Sequence, residues 1–299
     1  MATRHSQRGF TLPELLVSVS LMLVLMGTVT TLLVKSAETH RTVWNRTEMH
    51  SAVRGATELM QQEVGQAGLV ALPAAVTITA DSGLGVQTVG VTSSTGMFVG
   101  EQLVIGTGDD SETITLTNVA AGQITASFQT NHPATTSITA IGGFPGGIVP
   151  PNMANGSTGN VLKLFGDVNS DGRMVYVEYT CDTANKKLYR NVTGFAAMIK
   201  PPLASALVLL SNIVPNPNGT PCFIYQTATV NANTYVLDVA ITLTVQTQEV
   251  DNVTKQFQTE TKTLLNVSPR NVFNVWELAS IGETNRIQPI PPSVLFLIQ

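Results

Sequence analysis

From Phe10 to Val34 the chain is a run of apolar and small residues about 25 long, in which Glu14 carries the only charge. About 20 such residues cross a bilayer as a helix, so residues 10–34 predict a transmembrane segment. Pro13 suits the first turn, where a missing N–H breaks no hydrogen bond. Past Val34 the pattern becomes amphipathic. Val43, Trp44, Ala52, Val53, Ala56, Leu59, Met60, Glu63 or Val64, and Ala67 recur at three- and four-residue steps, the spacing of one helical face. Arg41, Arg46, Glu48, Arg54, Glu58 and Gln61 fall on the other side. No proline follows Pro13 until Pro73, and Gly65 and Gly68 offer a stop. Span and amphipathic continuation (residues 35–70) therefore read as one helix from about Pro13 to about Gly68. At 1.5 Å per residue it is roughly 80 Å long, and its outer half is expected to pack on a sheet.

Between residues 74 and 149 the periodicity shortens. Lys and Arg vanish, and Thr, Ser, Gly and Val dominate. Strand-like runs at 86–92, 97–105, 112–118, 123–128 and 137–141 alternate with turn signals, which predicts a small all-β unit inserted after the helix. Pro150-Pro151-Asn152 opens a linker that runs to Gly159. Residues 160–299 read as a second β-rich head, with strands near 161–165, 173–180 and 186–192. The cleanest alternation lies in 235–246, where Leu237, Val239, Ile241, Leu243 and Val245 face one way. One buried and one wet face is the mark of an antiparallel sheet. Residues 257–267 return beside it after a turn at Asp251-Asn252, and this is the sheet the helix is expected to cover. The apolar end, Val294 to Ile298, is too short to span a membrane and is expected to dock on the head or on another subunit. The fold class is α+β: a long N-terminal transmembrane-plus-amphipathic helix packed on an antiparallel sheet head, with an inserted β unit.

Composition narrows the functions. The net charge is -4 with 12% charged residues, so no basic surface points to nucleic acid. Arg4 and Arg8 precede the span and should stay cytoplasmic, which places the remainder outside. Cys181 and Cys222 lie in that outer part; an oxidising compartment favours a disulfide between them, with two buried free thiols as the alternative. Asp167, Asn169, Asp171, Gly172 and Glu178 match the spacing of a calcium loop. A strand rather than a helix follows, so a polar turn is the preferred reading and calcium the alternative. The four histidines are scattered, and no zinc spacing, phosphate loop or nucleophile elbow is present. No cofactor and no enzymatic activity are expected.

The N-terminal block carries the sharpest signal. A basic leader (Arg4, His5, Arg8) ends in Gly9, the apolar run starts after the glycine, and a carboxylate sits just inside it. A secretory signal keeps its apolar region to about 7–15 residues and places its cleavage site after it. This block instead resembles the prepilin signal of type IV pilins and type II secretion pseudopilins. The resemblance implies residues 1–9 as a leader, cut by prepilin peptidase between Gly9 and Phe10, and methylation of the new Phe10 amine. It also implies that Glu14, fifth in the processed chain, pairs with the Phe10 amine of a neighbouring subunit during assembly. Size and the inserted unit resemble a minor, PilW-like pilin, one that primes or caps a pilus or secretion pseudopilus. Implied partners are prepilin peptidase, other major and minor pilins, the inner-membrane assembly platform and the membrane. The implied location is the inner membrane, with a periplasmic or extracellular head that reaches a pilus tip. A tip adhesin or ligand-binding module exported by the same route is the alternative.

Overall fold

A computed structural model describes Gly9, residues 11–252 and residues 254–299. Helix α1 (Leu12–Gln66) is continuous over 55 residues, so the apolar and amphipathic patterns do fuse into one element. Gly68 ends it at φ +82°, and a Cβ there would meet Val272 Cγ2 at 2.9 Å and the Phe144 carbonyl oxygen at 3.0 Å. Only glycine takes this left-handed position without strain. The Gly68 N–H then donates to the Phe165 carbonyl at 2.9 Å, clipping the end of the helix to the sheet.

The chain divides into two compact units, residues 1–50 with 247–258, and residues 51–246 with 259–299. In the first, Arg41 Nε donates to Glu249 Oε2 at 2.5 Å, and Arg46 reaches Gln258. Segment 247–258 thus lies along α1, closed on itself by Thr247 N–H to Gln258 O at 2.8 Å.

In the second unit, strands β1 (Val76–Thr77), β2 (Gly85–Gly90), β3 (Gln102–Ile105), β4 (Glu112–Thr115), β5 (Asn118–Ala120), β6 (Gln123–Phe128) and β7 (Ser137–Ala140) follow α1. They make two antiparallel sheets, ordered β1-β7-β3-β4 and β2-β6-β5. Both face one cluster that includes Val76, Ile78, Val89, Leu103, Ile105, Ile114, Ile124, Phe128 and Ile138. Alternation is strict in β6, where Ile124, Ala126 and Phe128 are buried, as a half-buried strand requires.

After the linker come β8 (Val161–Gly166), β9 (Val175–Asp182), β10 (Lys187–Gly194), β11 (Val208–Ser211), β12 (Ile213–Val214), β13 (Phe223–Val230), β14 (Asn233–Gln246) and β15 (Thr259–Val267). The sheets are β11-β10-β9-β8, and β12-β14-β13 with β15 added to β14. β13 and the helices α2 (Arg270–Ser280) and α3 (Pro292–Leu297) lie outside the sequence expectation. α2 packs on β14, with Tyr235, Val272, Val275 and Ala279 in one cluster. α1 meets the other sheet: Glu63, 1% exposed, accepts from Tyr179 of β9 and Arg190 of β10. The β14 sheet expected beneath α1 therefore has α2 on it, and the ion pair sets α1 against β9 and β10.

Phe98, Phe144, Phe165 and Phe195 join inserted unit and head, their nearest rings 5.0 Å apart between centroids. Val294, Leu297 and Ile298 close the same cluster, so the apolar end packs on the head as a short helix. Gln288 completes the seam. Its amide accepts from Gln102 N–H at 2.9 Å and donates to the carbonyls of Gln102 and Ile141 at 2.7 and 2.8 Å.

Candidate functional site at the start of the apolar helix

Thr11 precedes the first helical residue, and its carbonyl accepts from Leu15 N–H at 3.1 Å. Glu14, in the first turn, folds back: its Oε2 accepts from the Thr11 N–H at 3.0 Å and from the Thr11 hydroxyl at 2.7 Å. This is the returning half of a capping box, in which a carboxylate satisfies a donor the helix leaves unpaired. Its charge also sits at the positive end of the helix dipole. Within one chain, Glu14 thus has a local partner. Sequence reasoning passed over Thr11, although the spacing Thr11-x-x-Glu14 is the signal that finds it.

From this turn to Val34 the helix presents only apolar and self-satisfied groups. Ser18, Ser20, Thr30 and Thr31 each donate to the carbonyl four residues back, at 2.7–2.8 Å. Hydroxyls spent this way leave little to solvate, which is what a hydrocarbon environment demands. Leu15, Leu16, Leu21, Leu23, Leu25, Leu32 and Leu33 are all exposed. α1 is the helix, among the described residues, that is long and apolar enough to cross a membrane. Apolar surface on this scale has to be covered, by lipid or by other helices.

Residues 4–30 match the prokaryotic N-terminal methylation motif. The methylation motif ends inside α1 and includes the capped turn at Thr11 and Glu14. Motif and helix together support a pilin-like chain, anchored by its N-terminal helix and carrying a β-rich region C-terminal to it. The motif covers a small part of the chain and says nothing of the head. No curated protein and no solved structure matched the chain. Arg4, His5, Arg8 and Phe10 lie outside the described residues, so the expected Gly9–Phe10 cut, the methylated amine and the partner of Glu14 have no described geometry.

The remaining candidates fall in the second unit. Cys181 and Cys222 are joined as a disulfide that ties β9 to the start of β13. The residues with calcium-loop spacing are not brought together. Asp167 accepts from the Asp171 and Gly172 N–H groups at 3.0 and 2.8 Å, as a turn-closing carboxylate does. Glu178 instead takes the Tyr176 hydroxyl at 2.7 Å and Lys200 Nζ at 2.8 Å. Asn169 lies in the turn itself. Among the described residues no cluster of three or more His, Cys, Asp or Glu could hold a metal. His132 is buried against Glu112, its Nε2 at 2.7 Å from Oε1, and that carboxylate also accepts from Gln129 N–H at 2.8 Å. Glu112 is held below its ordinary range, because these hydrogen bonds outweigh the burial that opposes them.

Proposed function

We propose that the chain is a minor pilin or pseudopilin, a structural subunit rather than an enzyme. It is made with a leader ending at Gly9 and cut there by prepilin peptidase. Phe10 is methylated on its amine, and the chain is held in the inner membrane by α1 until it joins a filament. The observation that carries this reading is the match of residues 4–30 to the methylation motif, placed on a helix whose first turn holds a lone carboxylate.

The role of Glu14 follows from its chemistry. Its bond to Thr11 is weak enough to exchange, since both partners lie at an exposed helix start. A cationic amine offers a stronger, charge-assisted partner in a low-dielectric setting. An amine from a neighbouring subunit would thus replace a Thr11 contact and fix the register between helices. Other pilins, the assembly platform and the membrane are the partners of this step.

Intact-mass and N-terminal analysis of the protein from its own cells tests the proposal. The expected product starts at Phe10 and carries one additional methyl group. A product retaining Met1, or cut elsewhere, removes the free amine and overturns it.

A further inference from the structure

The seam between inserted unit, head and C-terminal segment borders an open cavity of about 550 Å³, within the range of small-ligand sites. Two features set it apart. Its walls contain, among the described residues, no Asp, Glu, Lys, Arg or His; Asn152, Asn233 and Thr234 supply the accessible polar side chains, among prolines, glycines and a few apolar side chains, while the Gln288 amide is spent on the seam. Secondly, the rim is strained. The β13–β14 turn places Asn231 at φ 50° and Ala232 at φ 66°, where the second position ordinarily takes glycine. An alanine held left-handed is costly, and such strain collects at binding loops; here its residue lines the cavity.

We infer that this cavity is a binding site for a neutral saccharide unit. Charge-free walls offer nothing to a phosphate, carboxylate or ammonium group. Carboxamide and hydroxyl side chains each combine donor and acceptor capacity, which matches the paired character of sugar hydroxyls. An extended peptide is the weaker fit, because it reads a strand edge through main-chain groups. At Gln102 both the N–H and the carbonyl are already held by the Gln288 amide. Asn152 Nδ2 donates to Thr234 Oγ1 at 3.0 Å across the rim, so the two polar walls are prepositioned. This inference is independent of filament assembly, which the processing experiment above tests separately.

The test is calorimetric titration of the full chain, purified in a detergent without a sugar headgroup. The probes are glucose, galactose, N-acetylglucosamine, N-acetylgalactosamine and disaccharides of these, with glucuronate and a Gly-Ser peptide alongside. The expected result is saturable binding of at least one neutral sugar, with glucuronate markedly weaker. Asn152→Ala with Asn233→Ala changes two exposed side chains and should weaken that binding about tenfold or more at an unchanged melting temperature. Absence of saturable binding by every neutral sugar overturns the inference. So does unchanged affinity in the variant, or preference for glucuronate or the peptide.

Discussion

At the residue scale, buried carboxylates do opposite things according to what faces them. Glu63 is 1% exposed yet fully engaged, by Tyr179 and by both Nε and a terminal nitrogen of Arg190. Removing one member of a buried ion pair strands the other, at about 3–5 kcal/mol. Glu63→Ala should therefore lower the urea midpoint sharply. Arg54→Ala, which breaks an exposed pair with Glu58 one turn apart, should leave it unchanged. Equal effects from the two would show that burial does not govern these pairs. Glu101 is the contrast. It is fully buried in the inserted unit, its Oε2 accepts only the Phe98 N–H at 3.2 Å, and Oε1 has no partner among the described residues. Burial pushes it from 4.5 up to about 8, against the smaller pull of the Phe98 bond. The folded state therefore keeps a proton that the unfolded state releases above about 4.5. Stability from this group is complete below that pH and declines as pH rises toward about 8. Melting temperatures across that window should fall in the native chain and be flatter in Glu101→Gln.

At the element scale, one helix serves two environments. Residues 12–34 of α1 are exposed and nearly free of charge, while Val53, Ala56, Met60, Val64 and Ala67 are buried at helical spacing. The second stripe is held by packing and by Glu63; the first has no cover among the described residues. The disulfide acts between elements, closing a loop with a sequence separation of 41 between β9 and β13. By chain entropy this loop contributes roughly 4 kcal/mol, mainly by restricting the unfolded chain. Reduction, or the double change Cys181→Ser and Cys222→Ser, should lower thermal stability by that order while leaving the far-ultraviolet spectrum of the folded protein unchanged. A loss of native signal below the transition would mean that the bridge shapes the folded state as well.

At the scale of the larger unit, inserted region and head are joined by a seam of few but specific contacts. Four phenylalanines supply the apolar part, and the Gln288 amide supplies the polar part by completing hydrogen bonds that β3 would otherwise lack. Gln288→Ala leaves two carbonyls and an N–H of the inserted region without this partner. The expected loss is about 2 kcal/mol or more, with earlier proteolysis at the joints near residues 100 and 142. Unchanged proteolysis would assign the seam to the aromatic cluster alone. Should the cavity take a ligand, the same seam should tighten, and protection from protease should rise with occupancy.

Local pattern carried a large part of this protein. The apolar run, one carboxylate and the absence of proline to Pro73 determined α1, because helix formation there depends on composition and period alone. Alternation likewise located β6, whose two faces differ in burial, and β-prone runs located β8, β10 and β14; in β14 the face expected to be wet is covered as well, with Thr242 and Thr244 buried. Where alternation was mixed with turn residues, boundaries moved: the run at 97–105 yields only β3, because Met97–Gly100 are spent on turns. β13 escaped notice because its exposed face carries Ile224 beside polar threonines, and α2 because 11 residues give the helical period little room. Tertiary structure alone decided what no spacing encodes: that α1 rests on β9 and β10 through Glu63, that α2 packs on β14, and that Glu178 turns away from Asp167. Each depends on residues far apart in sequence competing for the same surface, and the better-satisfied buried group wins.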